Sequence, residues 1–209
     1  MKNARQTFRG HYIYAVDGSD LDLPASESLL SDGYRGSLWS KEYETHYPKM
    51  YVVHAYDVVN QLVVGFNQGS RNSERALAER VIEGFERKSI TIYDRLYAAQ
   101  PVFERHIAKG NYFLARTTSA GGRVASCIQR FLASGKCDAD EIWKAQHQSG
   151  EPVPVRLVKV RHPKTKQAEV FVTNAPKELF TRLELQELYC KRWSIEGSFR
   201  DLVSTLKMD

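Results

Sequence analysis

The sequence predicts an α/β protein built on a mixed β-sheet, and the order of its apolar segments carries this prediction. Three strand-like segments come first, and a helical pattern, a strand, a second helix and a further strand follow them. This alternation is typical of a sheet that packs helices against its faces. A chain of 209 residues, of which 42% are hydrophobic, can bury one substantial core, so residues 1–209 are expected to form one domain.

Each element of the first half follows from a local pattern. Aromatic and branched residues indicate the strands, and apolar residues at four-residue spacing, such as Leu77, Val81 and Phe85, indicate a helix. The short linker Asn60-Gln61 predicts a hairpin. In chain order the predicted elements are strands over residues 11–16, 50–59 and 62–66, a helix that begins after Asn72 or Ser73, a strand at Ser89–Tyr93, a helix over residues 97–108 and a strand over residues 111–115.

The pattern changes in the second half of the chain. Residues 117–173 are interrupted by glycines and contain two strand-like segments, which predicts a mostly β insertion. These segments cover residues 153–160 and 169–173. A long helix is then predicted to begin after Thr181, with Glu184 at the spacing of a capping box. Its apolar residues recur on one face as far as about residue 206.

Composition and charge limit where the protein is expected to be located and which partners it is expected to bind. No segment approaches the roughly 20 apolar residues of a membrane span, and no secretion signal follows the basic N-terminus. Three cysteines without CxxC spacing fit a reducing cytoplasm. The net charge of +5 suits a partner rich in phosphate, although such charges more often form a solvated surface. The expected location is the cytoplasm.

Two aspartates each close a short apolar segment. Asp17 begins a turn-forming tetrapeptide after the first predicted strand, and Asp94 follows the strand Ser89–Tyr93. If the two strands pair, both carboxylates lie at the carboxyl edge of the sheet, where they can share Mg²⁺ or Mn²⁺. Either aspartate alone is more often the cap of a turn or helix. Other aspartates lack a buried strand before them and a turn after them, namely Asp20, Asp22 and Asp57.

A third acid lies on the predicted last helix. Tyr189, Arg192 and Glu196 follow steps of three and four residues, so they share one stripe of that helix. A glutamate at the margin of an apolar face needs a partner, because an unpaired buried carboxylate is costly. Two explanations stay open: an ion pair with Arg192, or convergence with Asp17 and Asp94 on a metal ion.

The spacing of Tyr189, Arg192 and Glu196 resembles the C-terminal signature of bacterial insertion-sequence transposases of the DDE class. Further matching segments are residues 192–196 and 199–202, and residues 16–18 and 93–95 around the two aspartates. The resemblance covers about residues 12–206. It implies a ribonuclease-H-like mixed sheet flanked by helices, with the mostly β insertion before the last long helix. It also implies Mg²⁺-dependent cleavage and strand transfer of DNA, with Mn²⁺ as a substitute.

The resemblance also implies a role for each candidate residue. Asp17, Asp94 and Glu196 would be the catalytic residues that hold two metal ions. The residues expected to contact DNA are Tyr189, Arg192, Trp193 and Lys207, together with Arg161, Lys164 and Lys166 of a basic turn in the insertion. Trp193 either packs in the core, which is the favoured alternative, or stacks on a displaced base. The partner that the resemblance implies is double-stranded DNA, at transposon ends and target, bound by a homodimer, and the location that it implies is the cytoplasm in association with the nucleoid.

Two departures from the family pattern leave alternatives open. Val203 stands where the family has lysine, and Lys207 lies one turn further along roughly the same face. The chain also begins and ends close to its predicted core, which suggests a truncated catalytic core. The alternatives are an inactive DNA-binding transposon remnant, a metal-dependent nuclease without strand transfer and, ranked last, a glycosidase with paired carboxylates.

Overall fold

Eight β-strands and five α-helices, besides a short helical stretch near the C-terminus, make up the described part of the chain. The computed structural model describes residues 5–36, 47–70, 74–117, 125–144, 151–162, 164–198 and 200. The strands are β1 (Tyr12–Asp22), β2 (Lys49–Asp57), β3 (Leu62–Gly69), β4 (Ser89–Tyr93), β5 (Tyr112–Arg116), β6 (Asp138–Trp143), β7 (Val153–Arg161) and β8 (Ala168–Thr173). The helices are α1 (Glu27–Ser31), α2 (Glu74–Glu83), α3 (Gln100–Lys109), α4 (Ser126–Ala133) and α5 (Arg182–Cys190). Within these residues no helix combines the length and the apolar character needed to cross a bilayer.

The strands form one mixed sheet, which confirms the predicted α/β class. Its order is β3-β2-β1-β4-β5-β8-β7-β6. The central pairs β1–β4 and β4–β5 are parallel, and antiparallel pairs extend the sheet on both sides. Every residue of β4 is buried, because the strand has a neighbour on each side and a hydrophobic core on each face.

Helices cover both faces of the sheet. One core packs α2, α3 and α4 against the strands through residues such as Leu77, Phe103 and Phe131. The other core packs α5 against the opposite face through Leu185 and Leu188. Alternate residues of a strand point to opposite faces, so each central strand contributes side chains to both cores.

The first strand differs from its prediction. β1 does not end at a turn after Val16 but continues to Asp22, so Asp17 lies in the middle of the strand. The second half of β1 pairs with β2, whereas its parallel partner β4 ends at Tyr93. Because β4 does not extend beside this half of β1, polar residues are tolerated there, and the local sequence resembles a turn.

Other predicted elements agree more closely with the structure. The β2–β3 hairpin is confirmed, and Gln61 in its turn has a positive φ of 56°. Helices α2 and α3 and strands β4 and β5 lie where the sequence predicts them, although residues 72 and 73 lie outside the described part. Helices α1 and α4 are not predicted by the sequence patterns. Within residues 117–173, β6, β7 and β8 extend the central sheet and α4 packs on its face.

The last predicted helix is divided into two parts. The capping box at its start is confirmed, because Thr181 Oγ1 accepts from the N–H of Glu184 and the Glu184 carboxylate accepts from the N–H of Thr181. A 3₁₀ turn over Lys191–Trp193 then separates α5 from a helical stretch over residues 194–198. The predicted continuation, with Val203 and Lys207, lies outside the described residues.

A buried arginine ties the β6–β7 hairpin to the start of α5. The Arg156 side chain is 5% exposed and donates to both carboxylate oxygens of Asp138, at 2.8 and 2.6 Å. It also donates to the carbonyls of Ala175 and Phe180, in the segment that leads into α5. A planar guanidinium can make these bonds together, whereas an ammonium group cannot. This contact therefore helps to fix α5 on the sheet.

We expect Arg156→Lys to lower the free energy of unfolding by about 1–3 kcal/mol, because buried carbonyl acceptors lose their donors while the charge is retained. Urea unfolding followed by circular dichroism measures the change. Arg161→Lys, at the exposed end of the same strand, is the matched control and should shift stability by less than about 0.5 kcal/mol. Wild-type stability in Arg156→Lys would contradict the assigned role of the guanidinium.

Candidate active site

Asp17 and Asp94 are neighbours across the sheet. Strands β1 and β4 pair in parallel up to Val16↔Tyr93, so each aspartate directly follows the last residue that these two strands pair with each other. The condition under which the two carboxylates could share a site, that these strands pair, is therefore met. Asp94 Oδ1 also accepts a hydrogen bond from the N–H of Leu96 at 2.6 Å and caps a short 3₁₀ turn. The capping role and a place in a shared site are compatible, because a carboxylate has two oxygens.

Arg192 joins the C-terminal region to β1 at this site. Its guanidinium donates from Nη1 to Asp17 Oδ2 at 3.0 Å and from Nη2 to Glu196 Oε1 at 3.3 Å. The predicted ion pair between Arg192 and Glu196 is thereby confirmed. The Arg192 side chain is 9% exposed, and its Nε is buried without a hydrogen-bond partner in the described structure. Burial opposes the charge of Arg192, but Tyr189 and the two acids raise its pKa, so the group stays a cation.

The helical stretch over residues 194–198 holds Glu196 beside β1. Ser198 Oγ lies 2.9 Å from Nε2 of His54 on β2, and His54 is the cross-strand partner of Asp17. Burial lowers the pKa of His54 to about 4, so the ring is neutral near pH 7 and adds no positive charge. The Glu196 side chain is 46% exposed, which leaves its carboxylate accessible to a ligand.

The three predicted acids lie close enough to influence one another. Burial raises the pKa of Asp17, Arg192 opposes this rise, and the charges of Asp94 and Glu196 add to it. As the side chains stand, no three acidic, histidine or cysteine residues of the described ranges are arranged to hold one metal ion. Arg192 bonds to both Asp17 and Glu196 and neutralises part of their charge. The structure thus gathers the acids into one neighbourhood, with a guanidinium between two of them.

A fourth acid, which the sequence patterns do not single out, lies in the same neighbourhood. Glu74 is the first residue of α2, and a Cβ placed on Gly18 would lie 2.8 Å from its Cδ. The Tyr97 hydroxyl donates to Glu74 Oε2 at 3.4 Å. Burial raises the pKa of Glu74, and Asp17 and Asp94 raise it further. An acid in the first turn of a helix is usually a partner of the helix dipole, so sequence alone gives no reason to choose it.

A cavity of about 440 Å³ adjoins Arg192. Four residues predicted to contact DNA line it, namely Lys164, Tyr189, Arg192 and Trp193. Arg116 and His162 line it as well, and neither was predicted as a site residue, although His162 begins the basic turn of the insertion. Arg161 and Lys166 are exposed but are not among its lining residues, and Lys207 lies outside the described part of the chain.

The two aromatic residues at this cavity have different environments. Tyr189 is 6% exposed, and its ring stacks on Phe171 with the centroids 4.5 Å apart. Trp193 is 55% exposed, and the guanidinium carbon of Arg192 lies 5.1 Å from the centroid of its ring. The favoured prediction that Trp193 packs in the core is therefore wrong. The 3₁₀ turn over Lys191–Trp193 buries Arg192 and leaves Trp193 at the surface.

The other aspartates of β1 and β2 form ion pairs away from the candidate site. Asp20 and Asp22 both pair with Lys49 across β1–β2, at 2.8 and 3.0 Å. Asp57 pairs with Arg5 at 2.6 Å and is fully buried. The expectation that no turn follows Asp57 is wrong, because it ends β2 and its carboxylate accepts from the N–H groups of the next turn.

The arrangement of strands and side chains points to a class of DNA-processing enzymes. Two aspartates lie side by side on a mixed sheet, and an arginine–glutamate pair approaches them from the C-terminal helical region. The family model described as "Transposase DDE domain" matches residues 8–209. The chain belongs to this family, whose members cleave and transfer DNA and generally use divalent metal ions. A comparison with curated proteins gives no match.

We expect Asp17→Asn to stabilise the protein near pH 7 in the presence of a chelator. Because the pKa of Asp17 is raised in the folded state, its contribution to stability is present at acid pH and is lost as the pH rises through that pKa. Asparagine stays neutral and still offers Arg192 an oxygen. Urea unfolding with EDTA should show a gain at about pH 7 that shrinks at about pH 5 and below.

Asp20→Asn is the matched control for this measurement. Asp20 lies on the same strand and pairs with Lys49 at 2.8 Å, so its replacement should give no gain. A loss of stability in Asp17→Asn that is equal at both pH values would show that the Asp17 charge is favourable in the folded protein.

Proposed function

We propose that the chain is the ribonuclease-H-like catalytic core of a DNA transposase, in which Asp17, Asp94 and Glu196 hold divalent metal. The observation that carries the proposal is the meeting of the first two acids across the β1–β4 pair, with Glu196 linked to Asp17 through Arg192. Mg²⁺, or Mn²⁺ in its place, would supply activation of the attacking oxygen and stabilisation of the leaving oxygen of a phosphodiester.

The residues present fit a hard divalent cation. Carboxylate oxygens are the ligands that Mg²⁺ and Mn²⁺ prefer. Asp17 is held by the backbone of β1 and by the Gly18 N–H, which donates to its Oδ1 at 3.0 Å. Glu196 is half exposed and is held by one bond of 3.3 Å, so its carboxylate can leave Arg192 without the loss of a buried network. This combination of fixed aspartates and a movable glutamate supports binding of a metal.

Arg192 is suited to hold a phosphate of the DNA. Its Nε is buried and finds no hydrogen-bond partner among the described residues, while its Nη atoms pair with acids that a metal ion would otherwise neutralise. A guanidinium matches two phosphate oxygens with parallel N–H groups. We infer that Arg192 donates to the phosphate next to the scissile bond and keeps it in line with the acids.

The cavity beside Arg192 supports a path for DNA. Lys164 contributes positive charge to its wall, Arg116 lies there in an ion pair with Glu169, and Trp193 offers an exposed ring face. Positive charge attracts phosphates, and aromatic rings bind unpaired bases by stacking. The proposed partner is double-stranded DNA, at transposon ends and target. A homodimer in the DNA complex follows from the need for two active sites to join two ends.

We expect Asp17→Asn, Asp94→Asn and Glu196→Gln each to weaken Mn²⁺ binding, because each removes a carboxylate ligand. Mn²⁺-dependent nicking of supercoiled plasmid DNA should fall by about 100-fold or more, the upper end of what even outer residues of metal sites cost. Calorimetry with Mn²⁺ alone measures the first effect, and gel separation of nicked plasmid measures the second.

Matched controls for these variants are Asp20→Asn on β1 and Glu187→Gln on α5, both exposed acids on the same elements. Both controls should bind Mn²⁺ and nick DNA like the wild type. Full nicking activity in any of the three site variants would remove that residue from the proposed triad. Joined strands among the products would distinguish a transposase from a nuclease that only cleaves.

We expect Trp193→Ala to weaken binding of a duplex with a single-stranded end by about 1–3 kcal/mol, which is the usual worth of one stacked base. Because the ring is 55% exposed, the melting temperature should stay close to that of the wild type. Trp193→Phe keeps an aromatic face and should retain most of the affinity. Fluorescence anisotropy of labelled DNA measures the effect, and unchanged affinity in Trp193→Ala would exclude stacking.

A further inference from the structure

His162 directly follows β7, and hydrogen bonds fix its backbone. Its N–H donates to the carbonyl of Gln167 at 2.8 Å, and its own carbonyl accepts from the N–H of Lys166 at 2.9 Å. These two bonds close the turn that joins β7 to β8. The side chain of Gln186 on α5 donates to the carbonyl of Arg161, the residue before His162. The backbone therefore sets the position of His162 relative to α5.

The turn holds the imidazole of His162 in one tautomer. The backbone N–H groups of Lys164 and Thr165 both donate to its Nδ1, at 3.3 and 3.1 Å. A ring nitrogen that accepts hydrogen bonds carries no proton, so the ring is neutral and its proton is on Nε2. Within the described part of the chain, the hydrogen bonds of this ring all involve Nδ1. The Nε2–H group is therefore left for a ligand.

The His162 ring lines the cavity of about 440 Å³ that adjoins Arg192. The two nitrogens of an imidazole point in different directions, so a ring whose Nδ1 faces the turn directs Nε2 away from it. Arg116 and Glu169 also line the cavity, and they pair with each other at 3.1 Å. Apart from this pair, the charged residues of the wall are Lys164 and Arg192, which are both cations. The cavity therefore favours an anionic ligand.

We propose that His162 contacts DNA, with its neutral Nε2–H donating to a phosphate oxygen of the strand in this cavity. This inference rests on the proposed function, in which the cavity is part of the path for DNA. Phosphate contacts position a strand and carry no sequence information. Lys164 attracts the phosphate through its charge, and His162 positions it through one directed hydrogen bond. The turn supplies the direction, since it fixes the ring through Nδ1.

The test is binding of a short labelled DNA duplex to the purified chain, measured by fluorescence anisotropy. In His162→Asn the amide oxygen can replace Nδ1 as the acceptor for the turn, but no donor reaches the position of Nε2. The melting temperature should therefore stay close to that of the wild type. We expect the affinity to fall by about 10-fold, the usual contribution of one hydrogen bond to a charged group. The loss should be equal for duplexes of different sequence, because the acceptor is a phosphate.

The salt dependence of binding distinguishes a neutral donor from a cation. Lys164→Gln should lower the slope of log affinity against log salt concentration by about 0.9, because one counterion fewer is released. His162→Asn removes a neutral donor and should leave this slope unchanged. An equal reduction of the slope in both variants would show that His162 binds DNA as a cation, which overturns the assigned tautomer. Nitrogen NMR of the wild-type imidazole tests the tautomer without a variant, and a proton on Nδ1 would overturn it as well.

His11→Asn is the matched control, since it replaces a partly exposed histidine that is not among the lining residues of the cavity. It should bind DNA like the wild type. If Lys164→Gln weakens binding and His162→Asn does not, His162 is not a contact and the path for DNA stands without it. If the wild-type chain binds no duplex, the proposed function itself fails and the role of His162 falls with it.

Discussion

The buried guanidinium of Arg192 is the contact on which the assembly of this site depends. Arg192 lies 175 positions from Asp17 in the sequence, and it donates both to Asp17 near the start of the chain and to Glu196 near its end. A carboxylate as buried as Asp17 is unfavourable unless a cation is near. The bond from Arg192 to Asp17 therefore offsets the cost of burying the Asp17 carboxylate in β1. It also holds the C-terminal helical region against the sheet. Burial of Ile195 and the contact between Ser198 and His54 hold that region in place.

Local sequence patterns predicted those helices and strands whose conformation is determined by their own residues. Ser89–Tyr93 is a strand over the predicted residues, whereas its pairing with β1 was only a condition for the shared site of Asp17 and Asp94 and is shown by the structure. The turn predicted at Asp17 is wrong because β2 pairs with β1 through Asp22. Whether a polar stretch is a turn or an extended strand depends on the neighbouring strand, which lies far away in sequence. Helix α4, which no local pattern predicted, also needs the sheet for its stability, since that stability comes from burying Ile128 and Phe131.

In the candidate site, too, contacts between residues close in sequence could be predicted, and contacts between distant residues could not. Spacing along one helix predicted that Arg192 and Glu196 form an ion pair, and it did so because residues four apart share a face. It could not show that Arg192 also reaches Asp17, or that the 3₁₀ turn over Lys191–Trp193 exposes the tryptophan. The position of Glu74 near the site could not be predicted for a related reason. Its neighbour Gly18 lies on another element, and only the packing of α2 on β1 brings the two residues together.

In the proposed function, the charges around Arg192 would allow an acidic site to accept a polyanion. The guanidinium bonds to Asp17 and Glu196, and Arg192 also lines a cavity whose wall includes Lys164 and the Arg116–Glu169 ion pair. DNA phosphates are repelled by the acids and attracted by the cavity, so a residue at the boundary decides how close the backbone comes. A lysine would satisfy one acid as a point charge, whereas arginine has several fixed N–H donors. In the proposed function, exchange of these donors between the acids and a phosphate would couple binding of DNA to the charge of the acids.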